Sequence, residues 1–118
     1  MPAPSPLAIA TSAVQRLVKE DNLYRKELAQ QTERVAKLET ELKNGAGDGN
    51  AEFVIKQEQQ ALRETKAVFA PLHERIAEAV QRLEEQIATA ESDRGPADEI
   101  ARAKEALDLG KGVEAPVA

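Results

Sequence analysis

The chain of 118 residues has no cysteine, no tryptophan, a single histidine and only three aromatic residues, two Phe and one Tyr. Without cysteine, disulfides, thiolate nucleophiles and sulfur-ligated metal centres are excluded. With one histidine, a Ser–His or Cys–His nucleophile pair and a multi-histidine zinc site have no framework. Aromatics at 3% leave Leu, Ile, Val and Ala to build the core, which suits helix-on-helix packing and gives a sheet little to work with. No apolar run approaches the roughly 20 residues needed to span a bilayer. Met1–Pro6 has neither the basic nor the apolar region of a signal peptide, so a soluble intracellular protein without membrane contact is expected. Cations are too few for nucleic acid: 16 Lys and Arg against 21 Asp and Glu leave a net charge of −5.

What the chain does have is a long heptad register. Leu7, Ala10, Val14, Leu17, Asp21, Tyr24, Leu28, Gln31, Val35, Leu38 and Leu42 follow one another at alternating intervals of three and four. That spacing lays a narrow apolar seam along one helix, and other helices must cover the seam in water. A second seam runs through Ile55, Gln59, Leu62, Lys66, Phe69, His73, Ile76, Val80, Leu83, Ile87 and Ala90. Charged residues, 31% of the chain, fill the outward positions. Such a chain presents surfaces instead of an enclosed reaction chamber. It reads as a binding protein, not an enzyme, with no cofactor and no metal.

The breaks between the seams set the organisation. Residues 1–10, with three prolines in the first six positions, are expected to form a flexible tail. Ser12, with Gln15 three residues on, has capping-box spacing for the first helix, about 12–44. Gly45 can take the left-handed conformation that ends it. A short Gly-rich loop then makes the second helix, about 50–91, an antiparallel neighbour. Pro71 lies inside that helix, where it removes a backbone donor at a cost of about 3 kcal/mol. Either one helix kinks there or two helices meet, and the unbroken register favours the kink. Ser92–Pro96 is the next break, with Pro96 suited to the first position of a short helix, about 96–109, whose apolar face is Ile100, Ala103 and Leu107 and which Gly110 closes. Residues 111–118 read as a second flexible tail. The expected fold is an all-α, elongated antiparallel three-helix bundle over 11–110, with its middle helix kinked near Pro71.

Chemistry is sparse. His73 reads as a seam-edge residue, and paired carboxylates such as Glu74 and Glu78 have no pocket that would separate their protonation behaviour. Gly45-Ala-Gly-Asp-Gly49 follows a helix instead of a strand and reads as a turn, not a phosphate loop. The informative segment is Arg16-Leu-Val-Lys-Glu20. Leu17 lies in the seam, while Arg16, Lys19, Glu20, Arg25 and Lys26 form a mixed-charge exterior beside Tyr24. An ordered array of this kind can meet a protein partner through complementary charge, or it can simply keep the helix soluble, and composition alone favours the second.

The run Arg16-Leu-Val-Lys-Glu20 with Tyr24, Lys26-Glu27, Gln30-Gln31 and Glu33 resembles the first helix of the tubulin-binding cofactor A family. Agreement continues through Lys56-Gln-Glu58, Glu64-Thr-Lys66, Pro71, Arg75, Leu83 and the Gly95-Pro96 break, covering about residues 7–109. The resemblance implies a three-helix bundle without enzymatic activity, cytoplasmic and associated with the cytoskeleton. It implies a role in capturing β-tubulin released from the cytosolic chaperonin and holding it for later folding cofactors and pairing with α-tubulin. Carried over residue by residue, it offers Arg16, Lys19, Glu20, Tyr24, Lys26 and Glu27 as partner contacts. A monomer is expected, with a homodimer as the alternative state. The competing reading is a structural coiled-coil adaptor that self-associates through its seam.

Overall fold

The computed structural model describes residues 3–45, 47 and 49–113, and all of its elements are helices: α1 (Pro6–Lys43), α2 (Ala51–Ser92) and α3 (Ala97–Lys111). The all-α bundle expected from the seams is what forms. The described residues divide into two compact units, 3–21 with 70–113 and a second built on Asn22–Phe69.

α1 starts six residues earlier than the Ser12 capping box indicated. Ser5 caps it instead, its Oγ accepting the Ala8 N–H at 3.0 Å, with Pro6 in the first helical position. A proline there loses nothing, because that N–H has no intrahelical partner in any case, and its fixed φ already suits the helix. Starting at Pro6 lets Leu7 and Ala10 become buried, so residues 6–10 are helix and not tail. At the other end Gly45 adopts φ +79° and donates to the Leu42 carbonyl at 3.0 Å, the left-handed termination foreseen for it.

α2 passes through Pro71 as a single helix, so the alternative of two helices meeting there does not occur. Its buried line also departs from strict heptads. Lys66 is exposed, and Thr65 takes the inward place, giving Thr65, Phe69, Leu72, Ile76, Val80, Leu83 and Ile87. Thr65 can be buried because its Oγ1 donates to the Ala61 carbonyl at 3.1 Å, whereas a buried ammonium would lack a counter-charge. α2 ends in a Schellman arrangement: Gly95 N–H reaches the Ala90 carbonyl at 2.8 Å and Arg94 N–H the Glu91 carbonyl at 3.2 Å. The left-handed residue there is Arg94, at φ 54°, not a glycine. Pro96 stands just before α3 as its N-cap residue, and Asp98 and Glu99 occupy the first turn.

In the first unit three helices meet. Glu20 with Arg75 and Asp21 with His73 pair α1 with α2 in antiparallel sense. Ser5 Oγ near Glu99 Oε1 at 3.4 Å, and Val14 near Gly110, set α3 parallel to α1. The core is Leu7, Ala10, Val14, Leu17 and Val18 of α1 against Leu72, Ile76, Val80, Leu83 and Ile87 of α2 and Ala103 and Ala106 of α3. Gly110 does not close α3; it is a buried residue inside the last turn. A Cβ at that position would stand 2.6 Å from Val80 Cγ2 and 2.9 Å from Val14 Cγ1. The missing side chain lets α3 sit close to both partners, and Gly112 follows the helix instead. Lys111 is the last residue of α3, and of the C-terminal tail expected over 111–118, residues 114–118 lie outside the described residues.

The second unit is a two-helix hairpin. Tyr24 with Phe69, Arg34 with Glu58 and Glu39 with Gln59 fix its antiparallel sense. Val35, Ile55, Thr65 and Phe69 are buried, while Leu28, Leu38, Leu42 and Leu62 are only half-buried. Two helices cover each other's seam from one side only.

Two substitutions test this account by chemical denaturation. Gly110→Ala gains about 1 kcal/mol of helix propensity but overpacks two β-branched side chains by about 1–3 kcal/mol, so a net loss of stability is expected. Arg94→Gly relieves the left-handed strain and raises stability by about 1 kcal/mol.

Candidate partner-binding face

In Arg16-Leu-Val-Lys-Glu20 the helical turn sends Leu17 and Val18 into the core and leaves Arg16 and Lys19 outside. Neither cation has an ion-pair partner among the described residues, so both heads stand in water. Glu20 differs: it is half-buried, and one carboxylate oxygen lies 3.8 Å from Arg75 Nη2. An exposed pair of that length stabilises by at most a few tenths of a kcal/mol. Its effect is to orient both side chains across α1 and α2.

One residue further, Asp21 turns inward. It is 2% exposed, and its Oδ1 lies 2.7 Å from His73 Nε2. The ring nitrogen donates and the carboxylate accepts, which satisfies a polar group where the register otherwise calls for an aliphatic one. His73 had read as an ordinary seam-edge residue; it is a partner of Asp21. Both stand at seam positions of helices that a short loop makes antiparallel, and that coincidence was the available signal.

In the second unit Tyr24 is half-buried, with its ring edge-on to Phe69 at a centroid distance of 6.4 Å and an interplanar angle of 74°. Arg25, which the sequence placed on the outer face, is half-buried with its guanidinium 5.8 Å from the centre of the Phe69 ring. Edge-to-face and cation–π contacts of this kind contribute on the order of 1 kcal/mol each beyond simple burial. Tyr24 is therefore partly engaged in holding the hairpin together. Lys26 and Glu27 are exposed, as is Leu23 at 58%. An exposed leucine between cations supplies apolar area to a surface that charge alone would leave strongly hydrated.

Among the described residues no group of three or more His, Asp or Glu is placed to hold a metal ion, and no helix is long and apolar enough to cross a membrane. Arg16 and Lys19 in the first unit and Lys26 and Glu27 in the second are outward charges on helical backbone.

Residues 2–107 match the family model described as Tubulin binding cofactor A. The chain is 33% identical over 102 residues to "Tubulin-specific chaperone A" of Mus musculus, covering 86% of this chain and 87% of that protein. To the protein of the same name from Saccharomyces cerevisiae it is 32% identical over 109 residues, covering 90% and 97% respectively. The Oryctolagus cuniculus protein, again of that name, is 33% identical over 102 residues. No solved structure matches the chain.

The division between outward and engaged side chains makes a stability prediction. Arg16→Glu with Lys19→Glu changes unfolding free energy by no more than about 0.5 kcal/mol, as for unpaired surface residues. Phe69→Ala, which removes the ring that Tyr24 and Arg25 share, lowers it by about 3–5 kcal/mol in urea denaturation.

Proposed function

We propose, from the premise that the chain belongs to the tubulin binding cofactor A family, that it captures β-tubulin intermediates and holds them for later folding. A tubulin-chaperone role follows from the family itself, which is one of tubulin-binding cofactors and tubulin-specific chaperones. The finer parts of the reading are ours. The client is β-tubulin released from the cytosolic chaperonin, held until other folding cofactors take it and α-tubulin pairs with it. The place of action is the cytoplasm, alongside the cytoskeleton.

The observation that carries the reading is the extent of the match, which runs through almost all of the described helices. The contacts we assign are Arg16 and Lys19 in the first unit and Lys26 and Glu27 in the second. Their side chains are ordered at the base by helix and free at the tip. Glu20 and Tyr24 contribute while remaining tied to Arg75 and Phe69. Charged groups on a fixed helix steer encounter and fix register with an oppositely charged surface. The adaptor alternative needs the seam to be available to a second copy. In the first unit the seam residues Leu7, Val14, Leu17, Ile76 and Leu83 are already buried by helices of the same chain.

The purified protein should enrich β-tubulin over α-tubulin from cytosol. Arg16→Glu with Lys19→Glu should weaken capture about tenfold, or ~1.4 kcal/mol, with unchanged helicity by circular dichroism. No tubulin retained in any folding state would remove the reading. Unchanged capture by the variant would remove only the assignment of those two residues.

A further inference from the structure

The two phenylalanines of the chain have opposite surroundings. Phe69 is buried against Tyr24 and Arg25, whereas Phe53, in the first turn of α2, is 62% exposed with Val54 beside it at 37%. Phe53 also walls an open depression of about 430 Å³ on the outer side of α2, completed by Lys56, Gln57, Gln60, Ala61 and Glu64. A single exposed apolar residue needs no explanation, but this pair belongs to a line. Val54, Ala61 and Val68 follow at intervals of seven, beside the core line of Ile55, Leu62, Thr65 and Phe69. Ala61 and Val68 are half-buried. The next two positions of the same line, both in the first unit, are Arg75 and Arg82. The line is therefore apolar only along the hairpin.

The polar contacts fix which edge of the hairpin it follows. Glu39 and Gln59 meet along one edge. Arg34 and Val54 each lie five residues before them, about 140° round their helices, and so share the opposite edge. Glu27 stands seven residues before Arg34, and Leu23, one turn earlier again, is 58% exposed. Both lie along that same edge.

We propose that this edge of the second unit, anchored by Phe53 and continued by Val54, Ala61, Val68 and Leu23, holds apolar surface of the folding client. The proposal rests on the reading of the protein as a holder of β-tubulin intermediates and adds what its charges do not supply. Outward Arg and Lys attract an acidic surface whether or not it is folded. A folding intermediate differs from the finished protein in apolar groups that are not yet covered. An apolar edge beside Glu27 lets the chain prefer intermediates over assembled αβ-tubulin. A second copy of the chain is a poorer occupant. Each partner of a stable pair buries roughly 800 Å², and five side chains, two of them already half-buried, supply only a fraction of that. They suffice as an added contact for a client also met by Lys26 and Glu27.

Retention of tubulin by the immobilised full chain tests this, with β-tubulin diluted from urea compared against assembled αβ-tubulin. The parent should retain the diluted β-tubulin in preference to the heterodimer. Phe53→Ser should keep the parent's urea midpoint and weaken retention about tenfold. Phe53→Leu, which restores apolar area, should stay within about twofold of the parent. Equal retention by Phe53→Ser and the parent overturns the proposal and leaves the proposed function in place. A lower urea midpoint for Phe53→Ser also overturns it, because the ring would then belong to the fold. So does a parent that retains both forms of tubulin equally. A dimeric parent made monomeric by Phe53→Ser, with retention unchanged, would assign the edge to a second copy instead. A parent that retains neither form removes the proposed function, and this inference with it.

Discussion

The apolar seam of a long amphipathic helix has to be covered, and how many helices cover it decides what each part of this chain can be. In the first unit α1, α2 and α3 close around one another, and aliphatic side chains become fully buried. Coverage there depends on the smallness of α3's inner face, where Ala103, Ala106 and Gly110 let its backbone approach the valines of both long helices. In the second unit there are only two helices, so leucines at equivalent register positions remain half-buried. That hairpin relies on an aromatic cluster, with Phe69 in a T-shaped arrangement with Tyr24 and in contact with the guanidinium of Arg25.

Covering the seam also determines the surface. Once Leu17 and Val18 are committed inward, helical geometry leaves Arg16 and Lys19 no orientation except outward. The charges assigned to the partner are therefore consequences of the core. A change in which helix face is covered would therefore change which charges are offered. Asp21 and His73 join the two concerns, because they are polar groups placed inside the seam next to the outward-facing run.

Much of the bundle was legible from residue spacing, and the departures have identifiable causes. Leu7 and Ala10 were in register, yet the prolines before them suggested an extended tail. Ser5-Pro6 is in fact a good helix start, since proline in the first position sacrifices no hydrogen bond. Lys66 fitted the heptad count but not the burial, because a 3.6-residue helix drifts against a strict seven-residue repeat and Thr65 could satisfy its hydroxyl locally. Gly110 looked like a stop signal, which is glycine's commonest meaning near a helix end. Its role as a contact residue depends on two valines more than 29 residues away in sequence, one on each of two other helices. The proposed contacts rest on a family resemblance, whereas the engagement of Tyr24 and Arg25 with Phe69 joins residues on two helices and was not legible along the chain.

By itself the order of residues determined that this protein is helical, where its two long helices are separated, and that it has no cysteine and only one histidine with which to do chemistry. Those are local properties: periodicity, composition and turn residues act within a few positions of each other. Which charges stay free, which polar pair goes inside and why α3 carries a glycine were decided by tertiary structure. Each of those depends on what a distant segment places opposite, and no count along the chain contains that information.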